Sequence, residues 1–291
     1  MKTPFFTGAC TALVTPFRNG KVNLPMLETL LQRQMDAGIG TIVLCGTTGE
    51  SPTLSAEEKV SVFRHAKEYC GNGCTIIAGT GSNSTRQAIE LSRAAEGCGV
   101  DGLLVVSPYY NKATPEGLYA HYRAIAAAVN IPVILYNVPT RTGVDIPVSV
   151  YERLSSITNI IGVKEASTDI TKTVQIRSVC PDDFYVWSGN DEMTIPVIAL
   201  GGVGVISVTS NVLPHRMQAM TQKALRGDFK CAASMQLELL NLMESLFCEV
   251  NPIPVKAAMK LLGYDCGDCR LPLTTLLPEH EKKLKELLSV E

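Results

Sequence analysis

Residues 159–167 read NIIGVKEAS. The apolar run at 160–163 is too short for a helix, begins after an Asn and ends on a lysine, as expected of a buried parallel strand whose last residue emerges at a sheet edge. Seven other runs share this character: CTALVTP from 10, TIVLCG from 41, CTIIAG from 74, GLLVVSP from 102, PVILYN from 132, FYVWSG from 184 and GVISVTS from 204. Between successive runs lies enough amphipathic chain for one helix and two loops. Eight such units predict a (β/α)8 TIM barrel. A doubly wound open sheet uses the same repeat, so only the count of eight favours closure. Ser55-Ala-Glu-Glu58 predicts a capping box at a helix start, and Ser84-Thr-Arg-Gln87 repeats the pattern. Beyond about Pro214 no further strand is expected, only helical segments near 230–248 and 277–289. The chain therefore divides into a catalytic barrel, 1–225, and a C-terminal helical region, 226–291.

Composition narrows the function. The 291 residues are 46% hydrophobic and 19% charged, a globular balance that excludes disorder. Lys plus Arg number 26 against 28 for Asp plus Glu, leaving a net charge of −2 and no basic field for nucleic acid or anionic lipid. No apolar run approaches the ~20 residues of a spanning helix. The apolar start is cut by Pro4, Gly8 and Pro16, so neither a membrane span nor a signal peptide is expected. The ten cysteines are spread over apolar positions such as Cys45 and Cys98, which predicts buried free thiols in a reducing cytoplasm. Cys266-Gly-Asp-Cys269 has the spacing of half a zinc site or a redox pair. A zinc site needs four ligands and no second such pair exists, so no metal is expected.

In a closed barrel the reactive groups follow the strands. Lys164 is the sharpest of them. At the barrel mouth its amine is shielded from bulk water, which favours the neutral form that attacks a ketone to give a Schiff base, an electron sink for carbon–carbon chemistry. A lysine snorkelling to solvent is the alternative. Tyr136 ends the neighbouring strand, where a phenol can shuttle the proton that carbinolamine dehydration requires, or can simply be a buried tyrosine with a satisfied hydroxyl. Gly46-Thr47-Thr48-Gly49 offers amides and two hydroxyls to a small carboxylate, though a plain βα turn explains its glycines equally. Arg141 follows the fifth strand and either grips a second carboxylate or is solvated. Gly79-Thr-Gly81 opens like a dinucleotide fingerprint, but Ser84 stands where the third glycine belongs. Signatures of NTPases, zincins and α/β-hydrolases are missing.

The segments GTTGESPTLS, SPYYNK, LYNVPTRTG, GVKEAS, GVISVTSN and NPIPVK occur in this order along nearly the whole chain. With them the sequence resembles the pyruvate-dependent class I aldolases, the family that includes dihydrodipicolinate synthase and N-acetylneuraminate lyase. GTTGE and the arginine of YNVPTRTG look like the synthase branch. The resemblance implies that Lys164 forms the Schiff base with pyruvate and that Tyr136 transfers protons. Thr47 links that tyrosine to a second, Tyr110, which enters from the adjacent subunit of a tight dimer. Thr48 holds the pyruvate carboxylate, Ile206 contacts pyruvate through its backbone, and Arg141 receives the carboxylate of L-aspartate 4-semialdehyde. The implied product is 4-hydroxy-tetrahydrodipicolinate, made without a cofactor by a cytoplasmic tetramer of paired dimers serving lysine and diaminopimelate synthesis.

At the family's lysine-binding cleft this chain departs from the inhibited members. It carries Ala56, Lys59 and Gln87 where histidines and a glutamate are expected, while Ser51, Asn83 and Tyr109 fit. A cationic Lys59 and a missing carboxylate predict weak binding of a diamino effector. Two other functions are open to such a chain: a pyruvate aldolase acting on a sugar acid, and a silent barrel sensing a keto acid. The sensor is disfavoured because it has no use for a proton relay.

Overall fold

The computed structural model describes residues 4–289. Eight parallel strands form the barrel: β1 (Gly8–Ala12), β2 (Thr41–Leu44), β3 (Thr75–Gly79), β4 (Gly102–Val106), β5 (Val133–Asn137), β6 (Ile160–Glu165), β7 (Tyr185–Ser188) and β8 (Gly204–Ser207). Each falls on one of the eight apolar runs. β1 pairs with β2 through Thr11 and Ile42 and with β8 through Gly8 and Gly204, so the sheet closes and the open doubly wound alternative is excluded.

Side chains alternate across the strands. Val43, Ile77, Leu104, Ile134 and Ile206 fill the interior, while Ile42, Ile76, Leu103, Leu135 and Val163 pack outward beneath the helices. One end of the barrel is plugged by Phe6, stacked on Trp187 at 4.8 Å, whose indole N–H donates to the Phe6 carbonyl at 3.3 Å.

The helical layer comprises α1 (Leu24–Asp36), α2 (Ala56–Cys70), α3 (Thr85–Gly97), α4 (Pro115–Ala126), α5 (Val148–Leu154), α6 (Ile170–Val179), α7 (Thr194–Ala199) and α8 (Pro214–Leu225). The capping box at α2 is complete: the Ser55 hydroxyl accepts from Glu58 N at 3.2 Å, and the Glu58 carboxylate accepts from Ser55 N at 3.0 Å. At α3 only half of it forms. Ser84 accepts from Gln87 N at 3.5 Å, but the Gln87 carbonyl is taken by the Ser82 hydroxyl at 3.1 Å.

Three helices follow the barrel: α9 (Phe229–Ser245), α10 (Ile253–Leu261) and α11 (Pro278–Leu288). α10 lies between the two expected segments and was not anticipated. α9 buries Ala232, Leu239 and Met243 against Met217 and Met220 of α8. A small hairpin, Phe17–Arg18 with Lys21–Val22, was also unanticipated. Its turn is Asn19-Gly20, both with positive φ, which is the residue pair a two-residue hairpin loop demands.

Candidate active site

β5 and β6 lie in a register that sets Tyr136 opposite Lys164 and Asn137 opposite Glu165. Tyr136 and Lys164 face inward near the C-terminal ends of their strands. Lys164 is only 5% exposed, and its amine stands 4.5 Å from the centre of the Tyr136 ring. Among the described residues neither the Lys164 amine nor the Tyr136 hydroxyl has a hydrogen-bond partner. Glu165, one residue on, faces the helical layer. Its carboxylate accepts from Asn137 Nδ2 at 2.9 and 3.1 Å, from the Tyr151 hydroxyl at 3.3 Å and from Ser167 N at 2.8 Å. Burial raises its pKa above the usual carboxylate range, and the bonds from Ser167 and Asn137 oppose that rise.

After β2 the chain reverses at Cys45, whose φ is +53°. Gly49 N and Ser51 N donate to the Gly46 carbonyl at 3.1 and 3.2 Å, and Glu50 N donates to the Thr47 carbonyl at 3.1 Å. The turn closed in this way leaves the Thr47 and Thr48 amides without partners among the described residues, which suits them to an anion. The Thr48 hydroxyl accepts from Asn251 Nδ2 at 3.0 Å. A Cβ on Gly79 would strike the Cys45 carbonyl and one on Gly81 the Val106 backbone. Those two glycines serve close packing, which accounts for the incomplete dinucleotide pattern.

A cavity of about 1000 Å³ opens at this mouth, and its lining includes Thr47, Tyr136, Val138 and Arg141 together with Ser51, Ala56, Lys59, Gln87 and Tyr109. Arg141 sits on a helical turn, Pro139–Thr142, and donates to the Asn251 carbonyl at 3.4 Å. Lys164 and Thr48 do not line the cavity; both are buried beside residues that do. Ile206 is buried on β8 opposite Cys10. Tyr110 is placed elsewhere: its φ is +72° and it projects from the loop after β4 with 90% of its surface exposed. Burial holds the Lys59 ammonium below the ordinary lysine value, and no carboxylate pairs with it among the described residues.

Sequence reasoning missed Asn251, Glu50 and Lys256, although all three stand inside segments it had singled out. Lys256 forms a buried ion pair with Glu50 at 2.7 Å. The cysteines are free, but Cys98 is half-buried and Cys248 exposed, so burial is not general to them. Burial pushes the Cys266 and Cys269 thiols up to about 12, which disfavours the thiolate that redox or metal chemistry needs. Among the described residues no group of three or more His, Cys, Asp or Glu side chains is placed to hold a metal ion, and no helix is long and apolar enough to cross a membrane.

A (β/α)8 barrel with an uncommitted strand-end lysine beside a tyrosine, under a cavity at the C-terminal mouth, defines the general class. The family described as the dihydrodipicolinate synthetase family matches residues 5–291, and the chain belongs to it. It is 46% identical over 288 residues to a 4-hydroxy-tetrahydrodipicolinate synthase of Acetivibrio thermocellus, covering 99% of this chain and 98% of that one. Among solved structures it resembles the dihydrodipicolinate synthase of Aquifex aeolicus, with TM-score 0.97, 43% identity and 98% of both chains covered. It also resembles the Cyanidioschyzon merolae protein solved with lysine bound, with TM-score 0.96, 40% identity and coverage of 99% of this chain and 98% of that one.

Proposed function

We propose that the protein condenses pyruvate with L-aspartate 4-semialdehyde to give 4-hydroxy-tetrahydrodipicolinate in lysine and diaminopimelate biosynthesis. The observation that carries this reading is the Lys164 amine, buried, without a hydrogen-bond partner and 4.5 Å from the Tyr136 ring. The amine attacks the C2 ketone of pyruvate, and the carbinolamine loses water with a proton supplied by Tyr136. Loss of a C3 proton from the resulting Schiff base gives an enamine, whose C3 attacks the aldehyde carbon. The amino group of the second substrate then displaces Lys164 by transimination and closes the ring. The protonated Schiff base formed on Lys164 is the electron sink, so the reaction calls for no cofactor.

Thr48 and the free amides of its turn hold the pyruvate carboxylate, with the Ile206 backbone against the bound keto acid. Arg141, on the cavity wall, takes the carboxylate of the semialdehyde. Thr47, whose hydroxyl is not bonded to Tyr136 in the single chain, passes protons between Tyr136 and Tyr110 in the assembled, substrate-bound site. As the family resemblance implies, Tyr110 serves the site of an adjacent subunit within a cytoplasmic homotetramer built from tight dimers, a role compatible with its being almost fully exposed in the single chain. In the lining of the same cavity Lys59, with no carboxylate partner among the described residues, and the neutral Gln87 disfavour a diamino effector, so free lysine inhibits weakly.

Borohydride reduction in the presence of pyruvate, followed by mass spectrometry, tests the proposal. One adduct is expected on Lys164, and none in Lys164→Ala. An adduct of equal yield on another lysine would overturn it.

A further inference from the structure

We propose that Lys256, acting through Glu50, is a positioning residue for the pyruvate carboxylate; the inference rests on the function proposed above. Neither residue lines the cavity, and both side chains are almost wholly inaccessible. Lys256 Nζ meets Glu50 Oε1 at 2.7 Å, donates to the Asp268 carbonyl at 3.3 Å and stands 4.3 Å over the Phe17 ring. The second Glu50 oxygen accepts from Arg270 N at 2.8 Å. The Arg270 guanidinium in turn pairs with Glu58 at 2.5 Å and covers the same Phe17 ring. The Glu50 carboxylate is thus gripped from two directions by the chain that follows the barrel.

What that grip holds is a backbone conformation. Glu50 has φ +55°, in the left-handed region that a residue bearing a Cβ disfavours by roughly 1–2 kcal/mol. From there its N–H reaches the Thr47 carbonyl and closes the turn that presents the free Thr47 and Thr48 amides. Five residues before Lys256 on the same segment, Asn251 donates to the Thr48 hydroxyl at 3.0 Å. α10 and its approach therefore tether the carboxylate-binding turn at two points. A buried ion pair adds little net stability over an apolar pair of equal volume. Its directional bonds do specify where Glu50, and with it the turn, must stand.

The test follows borohydride trapping on Lys164 in the full chain as a function of pyruvate concentration, for wild type, Lys256→Met, Glu50→Gln and the double variant, with circular dichroism and melting as folding controls. Each single variant should raise the half-saturating pyruvate concentration by about tenfold, with the limiting yield retained. The double variant should show less than the product of the two effects, as expected of residues acting through each other. A purely structural role would lower the melting temperature and leave half-saturation unmoved. Unmoved half-saturation in folded single variants, or effects that simply multiply, would overturn the inference. Should Lys256→Met not fold, Glu50→Gln is compared with the double variant: removing Lys256 once Glu50 is neutral should change half-saturation by less than about twofold, and a larger change overturns the coupling. Failure of wild type to trap pyruvate at all would strike the proposed function itself.

Discussion

Replacing Tyr136 by Phe isolates one oxygen atom. The ring that faces the Lys164 amine at 4.5 Å remains, so the packing of the ring against the amine is kept. The lost hydroxyl has no hydrogen-bond partner among the described residues, so its removal leaves no buried group stranded. Folding stability should then stay within about 0.5 kcal/mol of wild type. Catalysis should not. If Tyr136 supplies the proton for carbinolamine dehydration, the variant loses a general acid, worth about 10²–10⁴-fold in rate. That is a barrier higher by roughly 3–5 kcal/mol. The loss should fall on kcat, with the pyruvate KM nearly unchanged, because the proposed function assigns the carboxylate to the turn after β2 and not to the phenol. Steady-state condensation kinetics, with the rate at which borohydride-trappable adduct appears, read both quantities. A folded Tyr136→Phe enzyme within about tenfold of the wild-type kcat would refute the assignment of proton transfer to this residue.

Two further outcomes are expected. Arg141→Ala should raise the semialdehyde concentration needed for half-maximal rate by the loss of a charge-assisted bond, about 1.5–3 kcal/mol, while trapping of pyruvate on Lys164 is preserved; equal damage to both substrates would contradict it. His121 makes a single side-chain bond, Nδ1 to the Thr85 hydroxyl at 2.9 Å, and its buried Nε2 has no partner. Burial pushes its pKa down to about 4, against 6.5 ordinarily. A depressed folded-state value means that the unfolded chain binds the proton first. The stabilisation is therefore present above about pH 6.5 and is lost as pH falls toward 4, by about 2 kcal/mol between pH 7 and pH 5. Urea titrations should show that His121→Gln loses correspondingly less stability over this interval, and parallel losses would refute the assignment.

The barrel was legible because each strand is short and apolar on both faces, whereas most of the helices are longer and amphipathic; the short apolar helix Thr194–Ala199 is an exception. The runs at 41 and 204 each begin on the first residue of the strand they became. Closure was not legible in any one segment; it consists of the Gly8–Gly204 and Thr11–Ile42 pairings, which only the folded chain brings together. The small hairpin announced itself in Asn19-Gly20 but lacks the flanking alternation that would have drawn attention to it. Half of the second capping box failed because Ser82, two residues before the cap, competes for the Gln87 side chain.

The placement of Lys164 beside Tyr136 was legible for a different reason. Strand periodicity alone sends Lys164 and Glu165 to opposite faces, one toward the mouth and one toward Tyr151 and Asn137. That assignment depends on register, since a slip of one residue would exchange them, setting a carboxylate beside Tyr136 and an amine against the helices. β6 guards the register near its start. Val133 pairs with Ile160 but Ile134 pairs with Gly162, so Ile161 is the extra residue, and a Cβ at 162 would fall on the Tyr185 carbonyl. Glu50 and Lys256 carry no such periodic signal. Their contact spans 206 residues, and each alone reads as a polar residue near an apolar segment. Local pattern thus places the groups proposed to react, while the groups proposed to hold them in place come from distant chain and become visible only in three dimensions.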